Sequence, residues 1–177
     1  MDLELKDKVA IVSGGNKGLG AAAAVRLAAE GAKVFLTARN KDDLNSVKAE
    51  IEADGGTAAI FAIDITEDDA GDKIVASALD QFGHVDIVVN AAGAARGGEF
   101  LSIEDQVWRD AFELKFLGAV KLSRAVIPHM QSRKYGRIVN VIGMFGREPA
   151  KQALPASAVN AAFMAINKGL SQQYGGD

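Results

Sequence analysis

The stretch Val9-Ala10-Ile11-Val12-Ser13-Gly14-Gly15-Asn16-Lys17-Gly18-Leu19-Gly20, leading into an alanine-rich run to Ala29, most narrowly limits what this chain can become. Val9 to Val12 is a short apolar run without polar alternation, the pattern of a strand buried on both faces. Glycines follow where a backbone must turn with positive φ, admit a phosphate to the main chain, or bring a helix close to a strand. A helix starting near Gly18 offers unpaired N–H groups and the positive end of its dipole to a pyrophosphate. The spacing G-x-x-x-G-x-G differs from the usual G-x-G-x-x-G. Ala21 stands where a P-loop needs its lysine, so that motif is excluded.

The rest of the chain supplies the context that one glycine pattern lacks. Strands are predicted at Lys33–Ala38, Thr57–Ile63, Val85–Asn90 and Gly136–Ile142, the last two being rich in Val and Ile. Helices are predicted over Asp42–Ala53, from a cap at Thr66 to Phe82, from Ile103 to near Met130, and from the loop after Pro155 to Tyr174. Gly55-Gly56 and Gly83 stop two of these helices, and Ser102 with Asp105 reads as the start of the long one. Strands alternating with such helices give parallel strands joined by right-handed crossovers. The predicted fold is thus α/β, a doubly wound parallel sheet in three layers, with residues 1–177 forming one domain. Ligands of such sheets bind at the carboxyl ends of the strands, where Asp64, Asn90 and Gly143 are expected.

Composition narrows the chemistry. A net charge of −3 argues against a general nucleic-acid surface. The absence of cysteine removes disulfides, thiolate metal sites and cysteine nucleophiles, and fits a cytoplasmic location. His84 and His129 are isolated and read as surface or helix-end residues. Asp2, Glu4, Lys6, Asp7 and Lys8 leave no secretory apolar region, and no apolar run approaches a membrane span.

An NAD site usually carries an acid at the end of the second strand, about 20 residues past the glycines. No acid occurs here between Glu30 and Asp42; Ala38 and Arg39 stand at the strand end and Lys17 in the glycine loop. Two cations near an adenosine ribose suit a 2′-phosphate, which favours NADP(H) over NAD(H). Solvated surface charges are the plainer alternative.

With these residues assembled, the chain resembles the short-chain dehydrogenase/reductase family. The matching segments are Ser13 to Gly20, Asp64-Ile65, Asn90-Ala91-Ala92-Gly93, Gly136 to Val141 and Asn160-Ala161-Ala162, in family order. The resemblance implies a Rossmann fold in which Gly14, Asn16, Lys17, Gly18, Leu19 and Gly20 hold the phosphates and Arg39 the 2′-phosphate. Asp64 and Ile65 would flank the adenine, and Asn90, Ala91, Ala92 and Gly93 would pack by the nicotinamide ribose. It further implies a homo-oligomer, dimer or tetramer, formed through the long helix from Ile103 and the one ending near Tyr174.

The family's chemistry uses a Tyr acid/base, a Lys four residues later, a Ser after strand five and an Asn on the long helix. Against that pattern this chain carries Ala156, Asn160, Gly143 and Lys115. Neither Ala nor Gly can give a proton to a developing alkoxide. Lys115 and Asn160 read as an exchange of Lys and Asn between neighbouring helices, making Lys115 and Asn160, with Ser157, Gln152 or Lys151, candidates for catalysis and substrate positioning. The family's further strand and substrate lid after Tyr174 are also expected to be missing, with strand five an open edge. The readings that result are an NADP(H)-dependent oxidoreductase acting on a small carbonyl or alcohol, and a catalytically silent NADP(H)-binding scaffold, sensor or partner subunit. A flavin or nucleoside-binding protein is disfavoured by Asn90 to Gly93.

Overall fold

The structure, a computed structural model, describes residues 2–94 and 96–176. Five strands form one parallel sheet: β1 (Val9–Ser13), β2 (Lys33–Ala38), β3 (Thr57–Ala62), β4 (Ile87–Asn90) and β5 (Arg137–Asn140), in the order β3-β2-β1-β4-β5. The order reverses at β1, so a crevice opens between the turns that follow β1 and β4. The two faces are covered by separate cores. On one, Ala24, Ala28, Leu44, Val47 and Ile51 of α1 (Gly18–Ala29) and α2 (Lys41–Ala53) pack on Ala10, Val12, Val34 and Leu36. On the other, Ile74, Val75 and Ala78 of α3 (Ala70–Phe82) and Leu122, Val126 and Met130 pack on Ile11, Phe35 and Val88. The central strand, β1, is sealed on both faces, as its unbroken apolar run requires.

The long helix predicted from Ile103 consists of α4 (Asp105–Ala111), a π-helical stretch over Phe112–Leu117, and α5 (Gly118–Arg133). Such widened turns often serve functional sites; this one carries Leu114 and Lys115. The last helix, α6 (Leu154–Tyr174), packs against α4 and the π-helical stretch.

Two predicted caps are corrected. Thr66 caps nothing: its N–H and hydroxyl both donate to Asp64 Oδ1, at 3.0 and 2.8 Å, and α3 begins only at Ala70. That local turn satisfies Thr66 outside a helix. Ser102 lies in a 3₁₀ turn and donates to Glu99 O at 2.9 Å, so α4 starts at Asp105 behind an unassisted Glu104. Strand five is also shorter than predicted: β5 ends at Asn140, Val141 N–H makes one more bond, to Asn90 O at 2.9 Å, and Val141 to Gly143 line the crevice.

A buried carboxylate closes the opposite edge of the sheet, unanticipated in the sequence because two of its partners, Val9 and Arg133, are remote. Asp86, 1% exposed, accepts from Val9 N–H at 2.9 Å and pairs with His84 and Arg133, each at 3.1 Å. Beside it, His129 Nε2 accepts from Val85 N–H at 3.2 Å, an arrangement available only to the neutral ring. Burial, with the charges of Arg133 and His84, pulls the His129 pKa down; Asp86 opposes this more weakly. Because the folded pKa lies below the unfolded value, this contribution to stability is present above the ordinary histidine range and fades as pH falls through it. The urea midpoint should therefore drop between pH 7.5 and 5.5, and His129→Gln should flatten that part of the profile.

Candidate dinucleotide site

The turn after β1 is held from two sides. Gly14 and Gly15 N–H both donate to Thr37 O of β2, at 2.8 and 3.3 Å, while Ala91 N–H donates to Ser13 O at 3.1 Å. Gly14 has φ +67°, and a β-carbon there would stand 2.8 Å from the Ala92 backbone. A β-carbon on Gly20 would collide with the carbonyl oxygen of Gly14. The two glycines thus set the distance between α1, the turn and the segment after β4. Gly18, at φ +57°, has nothing within 4 Å of its missing side chain, so the approach to the start of α1 is open.

That helix start is built to face an anion. Lys17 occupies the N-cap in extended conformation, makes no side-chain cap, and no acid stands in the first turn. The first N–H groups of α1 are therefore available to a ligand. Asn16 Nδ2 donates to Asp43 Oδ2 at 3.1 Å, tying the loop to α2, and Asn40 caps α2 by accepting from Asp42 and Asp43 N–H at 2.9 and 3.2 Å.

A cavity of about 600 Å³ runs from this loop across the carboxyl edge of the sheet. Its wall includes Gly14, Asn16, Lys17, Gly18, Leu19, Gly20, Arg39, Asp64, Ile65, Ala91, Ala92 and Gly93, together with Leu114, Lys115 and Val141 to Gly143. Thr37, Asn40 and Asp43 also line it; of these the Asn40-x-x-Asp43 helix start was the signal available in the sequence. The bare helix start, the left-handed Gly14 and Gly18, and a cavity wall that runs from Lys17 to Gly143 fit an extended dinucleotide.

Asn90 does not reach the cavity wall. It is 2% exposed and bonds Asn140 Oδ1 at 2.8 Å and Ser123 Oγ at 3.4 Å, with its Oδ1 the one sealed side-chain acceptor among the described residues lacking a partner. Ser157 is likewise held elsewhere: its hydroxyl donates to Ala153 O at 2.9 Å and accepts from Ala150 N–H at 3.3 Å, inside the first turn of α6. With that proton committed, Ser157 is not placed to orient a substrate. Lys151 and Gln152 are exposed outside the cavity wall.

Lys115 is at the site. Its aliphatic stem lies against Gly93, where an added β-carbon would meet Cδ at 3.0 Å. Burial pulls its pKa down from the ordinary lysine value, and among the described residues no carboxylate pairs with it. At the end of the cavity beside β2 and β3, Arg39 lies 3.7 Å from Asp64. Burial raises the Asp64 pKa, but the Thr66 hydrogen bonds and the Arg39 charge outweigh it and hold the carboxyl below its usual value.

The fold and this crevice are those of the Rossmann class of α/β proteins. Residues 8–177 match the family model described as short chain dehydrogenase, and the chain belongs to that family. An uncharacterized oxidoreductase of Staphylococcus epidermidis is 29% identical over 170 residues, covering 96% of this chain and 73% of the relative. The short-chain reductase protein NovJ of Streptomyces niveus is 36% identical over 156 residues, covering 88% and 60%. Among solved structures, L-sorbose reductase from Gluconobacter frateurii, complexed with NADPH and L-sorbose, superposes with a TM-score of 0.93 at 30% identity, covering 98% of this chain and 66% of that one. A variant of actinorhodin polyketide ketoreductase with NADPH gives 0.91 at 30% identity, covering 94% and 65%. The chain therefore spans about two thirds of the length of these solved relatives.

Gly14→Ala should strain the turn by at least about 1–2 kcal/mol, since an alanine is forced into left-handed backbone against Ala92. Calorimetry should show weakened dinucleotide binding together with a lower melting temperature.

Proposed function

We propose that this chain is an NADP(H)-dependent oxidoreductase catalysing hydride transfer between the nicotinamide and a small carbonyl or alcohol. The observation that carries the reading is the pair of cations, Lys17 and Arg39, on one cavity wall with the open start of α1. The two acids nearby are already engaged, Asp43 by Asn16 and Asp64 by Arg39 and Thr66. Arg39 is 70% exposed in its side chain and held only by a long ion pair, so a 2′-phosphate can recruit it at small cost. The NADPH in the two solved relatives agrees with this choice.

NADPH, when bound, supplies the hydride. The chain's own part is to hold its phosphates at the glycine turn, to set the ribose against Ala91 to Gly93, and to supply a proton. Lys115 serves that last task, because a half-buried ammonium with a lowered pKa gives up its proton more readily than an exposed one. In this reading Lys115 also provides the cation beside the nicotinamide ribose, and Asn160 takes the place on α6 that Lys115 leaves. The protein acts as a homo-oligomer through the long helix from α4 to α5 and through α6, where Leu117 of the π-helical stretch and Met164 remain exposed. None of the described helices is long and apolar enough to cross a membrane.

A second reading, a silent NADP(H)-binding scaffold, draws on Gly143 and Ala156, which offer no hydroxyl beside the crevice. The two separate in one series. Titration with NADPH and NADH, followed by Trp108 quenching and calorimetry, should show NADPH bound at least about tenfold more tightly, a preference removed by Arg39→Asp. Lys115→Met should then abolish carbonyl reduction, and the unmodified protein should lose activity as pH rises through the lowered Lys115 pKa. NADPH binding without turnover of any carbonyl would establish the scaffold instead; binding of neither cofactor would remove both readings.

A further inference from the structure

Lys121 of α5 lies outside both apolar cores and outside the cavity wall, yet its side chain is only 16% exposed. Its Nζ donates to Glu113 Oε1 and to the Thr66 carbonyl oxygen, each at 2.7 Å, with Asp68 Oδ1 farther off at 4.0 Å. The spacing of the first pair is informative. At about 100° per residue on a regular α-helix, residues eight apart stand about 80° out of line, whereas residues seven apart nearly coincide. The π-helical stretch over Phe112–Leu117 takes up one residue more than an α-turn would, and so brings Glu113 and Lys121 onto one face. The ion pair therefore belongs to the widened turn and opposes its return to regular winding.

The widened turn is gripped elsewhere as well. Phe116 meets Phe163 of α6 edge to face, with ring centres 6.3 Å apart. Gly118, the first residue of α5, lies against Ile65, where an added β-carbon would come within 3.1 Å of Cγ2. Between these holds Leu114 and Lys115 line the cavity, and the Lys115 stem rests on Gly93. Thr66 in turn gives its N–H and hydroxyl to Asp64, the partner of Arg39. Lys121 thus joins the turn that carries Lys115 to the loop at the Arg39 end of the cavity.

We propose that Lys121 is a positioning residue: by binding Glu113 and the Thr66 carbonyl together, it holds the widened turn in the winding that sets Lys115 at the cavity wall. The inference rests on the oxidoreductase reading above for its catalytic consequence, since Lys115 is the proton donor there. The placement of Lys115 is independent of cofactor. Return of the turn to regular winding would rotate Lys115 by as much as about 100° about the helix axis, off Gly93 and out of its half-buried seat.

The test follows the Cε and Nζ signals of Lys115 through a pH titration of the full chain labelled with ¹³C,¹⁵N-lysine, assigned by their loss in Lys115→Arg. Lys121→Met removes a cation and Glu113→Gln an anion, so their direct fields at Lys115 act in opposite senses. Freed from its seat, Lys115 regains solvation, and both variants should therefore raise its pKa, by at least about 0.5 pH unit. Melting temperatures are recorded alongside, and Glu113, 39% exposed in its side chain, offers the substitution that costs the fold least. In the same variants kcat for carbonyl reduction should fall about tenfold while KM for NADPH stays within about twofold. The proposal is overturned if Glu113→Gln leaves the Lys115 titration unchanged, or if the two variants move it in opposite directions. Absence of carbonyl turnover in the parent protein would instead sink the oxidoreductase reading, and the titration, which needs no NADPH, still decides what holds Lys115.

Discussion

Everything at the carboxyl edge of the sheet depends on how closely the turn after β1 lies against the turn after β4. Gly14 meets the Ala92 backbone where a β-carbon would stand, and Gly20 meets the oxygen of Gly14. Hydrogen bonds from Ala91 to Ser13 and from Gly14 to Thr37 hold that spacing from both sides. The consequence is a helix start aimed along the edge and a channel continuous from Lys17 to Gly143. Larger residues at either glycine would separate the layers before they blocked a ligand, so fold and binding rest on the same contacts.

Charge is distributed along that channel in a way that leaves few groups idle. Asp43 and Asp64 are engaged by neighbours, and the acid on the amino edge, Asp86, holds strand starts together. The half-buried cation Lys115 is different. Burial without an opposite charge disfavours its protonated form, and the structure offsets this with no carboxylate among the described residues. A leucine would pack against Gly93 at lower desolvation cost, so packing alone does not call for a lysine here.

The sheet and its crevice were legible in the sequence because they follow from local patterns: apolar runs of four to six residues, glycine stops such as Gly83 at φ +81°, and a helix start without a capping acid. What escaped was decided by partners distant in the chain. Thr66 reads as a cap until Asp64 is seen to take both its donors. Ser157 reads as a substrate contact until its hydroxyl is found within its own helix turn. Asp86 gave no sign of its task because Val9 and Arg133 lie far along the sequence. The π-helical turns that carry Lys115 left no compositional trace.

The 3.0 Å hydrogen bond from Gly143 N–H to Oδ1 of the buried Asn160 requires the edge strand that carries the loop to be held in register, and β5 has a neighbour on one side only. Its faces alternate weakly, with Val139 51% exposed, so apolar burial pins it poorly. The line of amides compensates. Asn90 and Asn140 stand opposite one another in the β4–β5 ladder and share a 2.8 Å hydrogen bond, and Asn140 Nδ2 passes a second 2.8 Å bond to Asn167 of α6. A one-residue slip of β5 would turn Asn140 to the other face and break both bonds. The same α6 carries Asn160, two turns earlier in the helix. Strand, loop and helix are therefore referenced to one line of amides, buried at Asn90 and exposed at Asn167, and Asn90 lies beneath the cavity rather than in its wall.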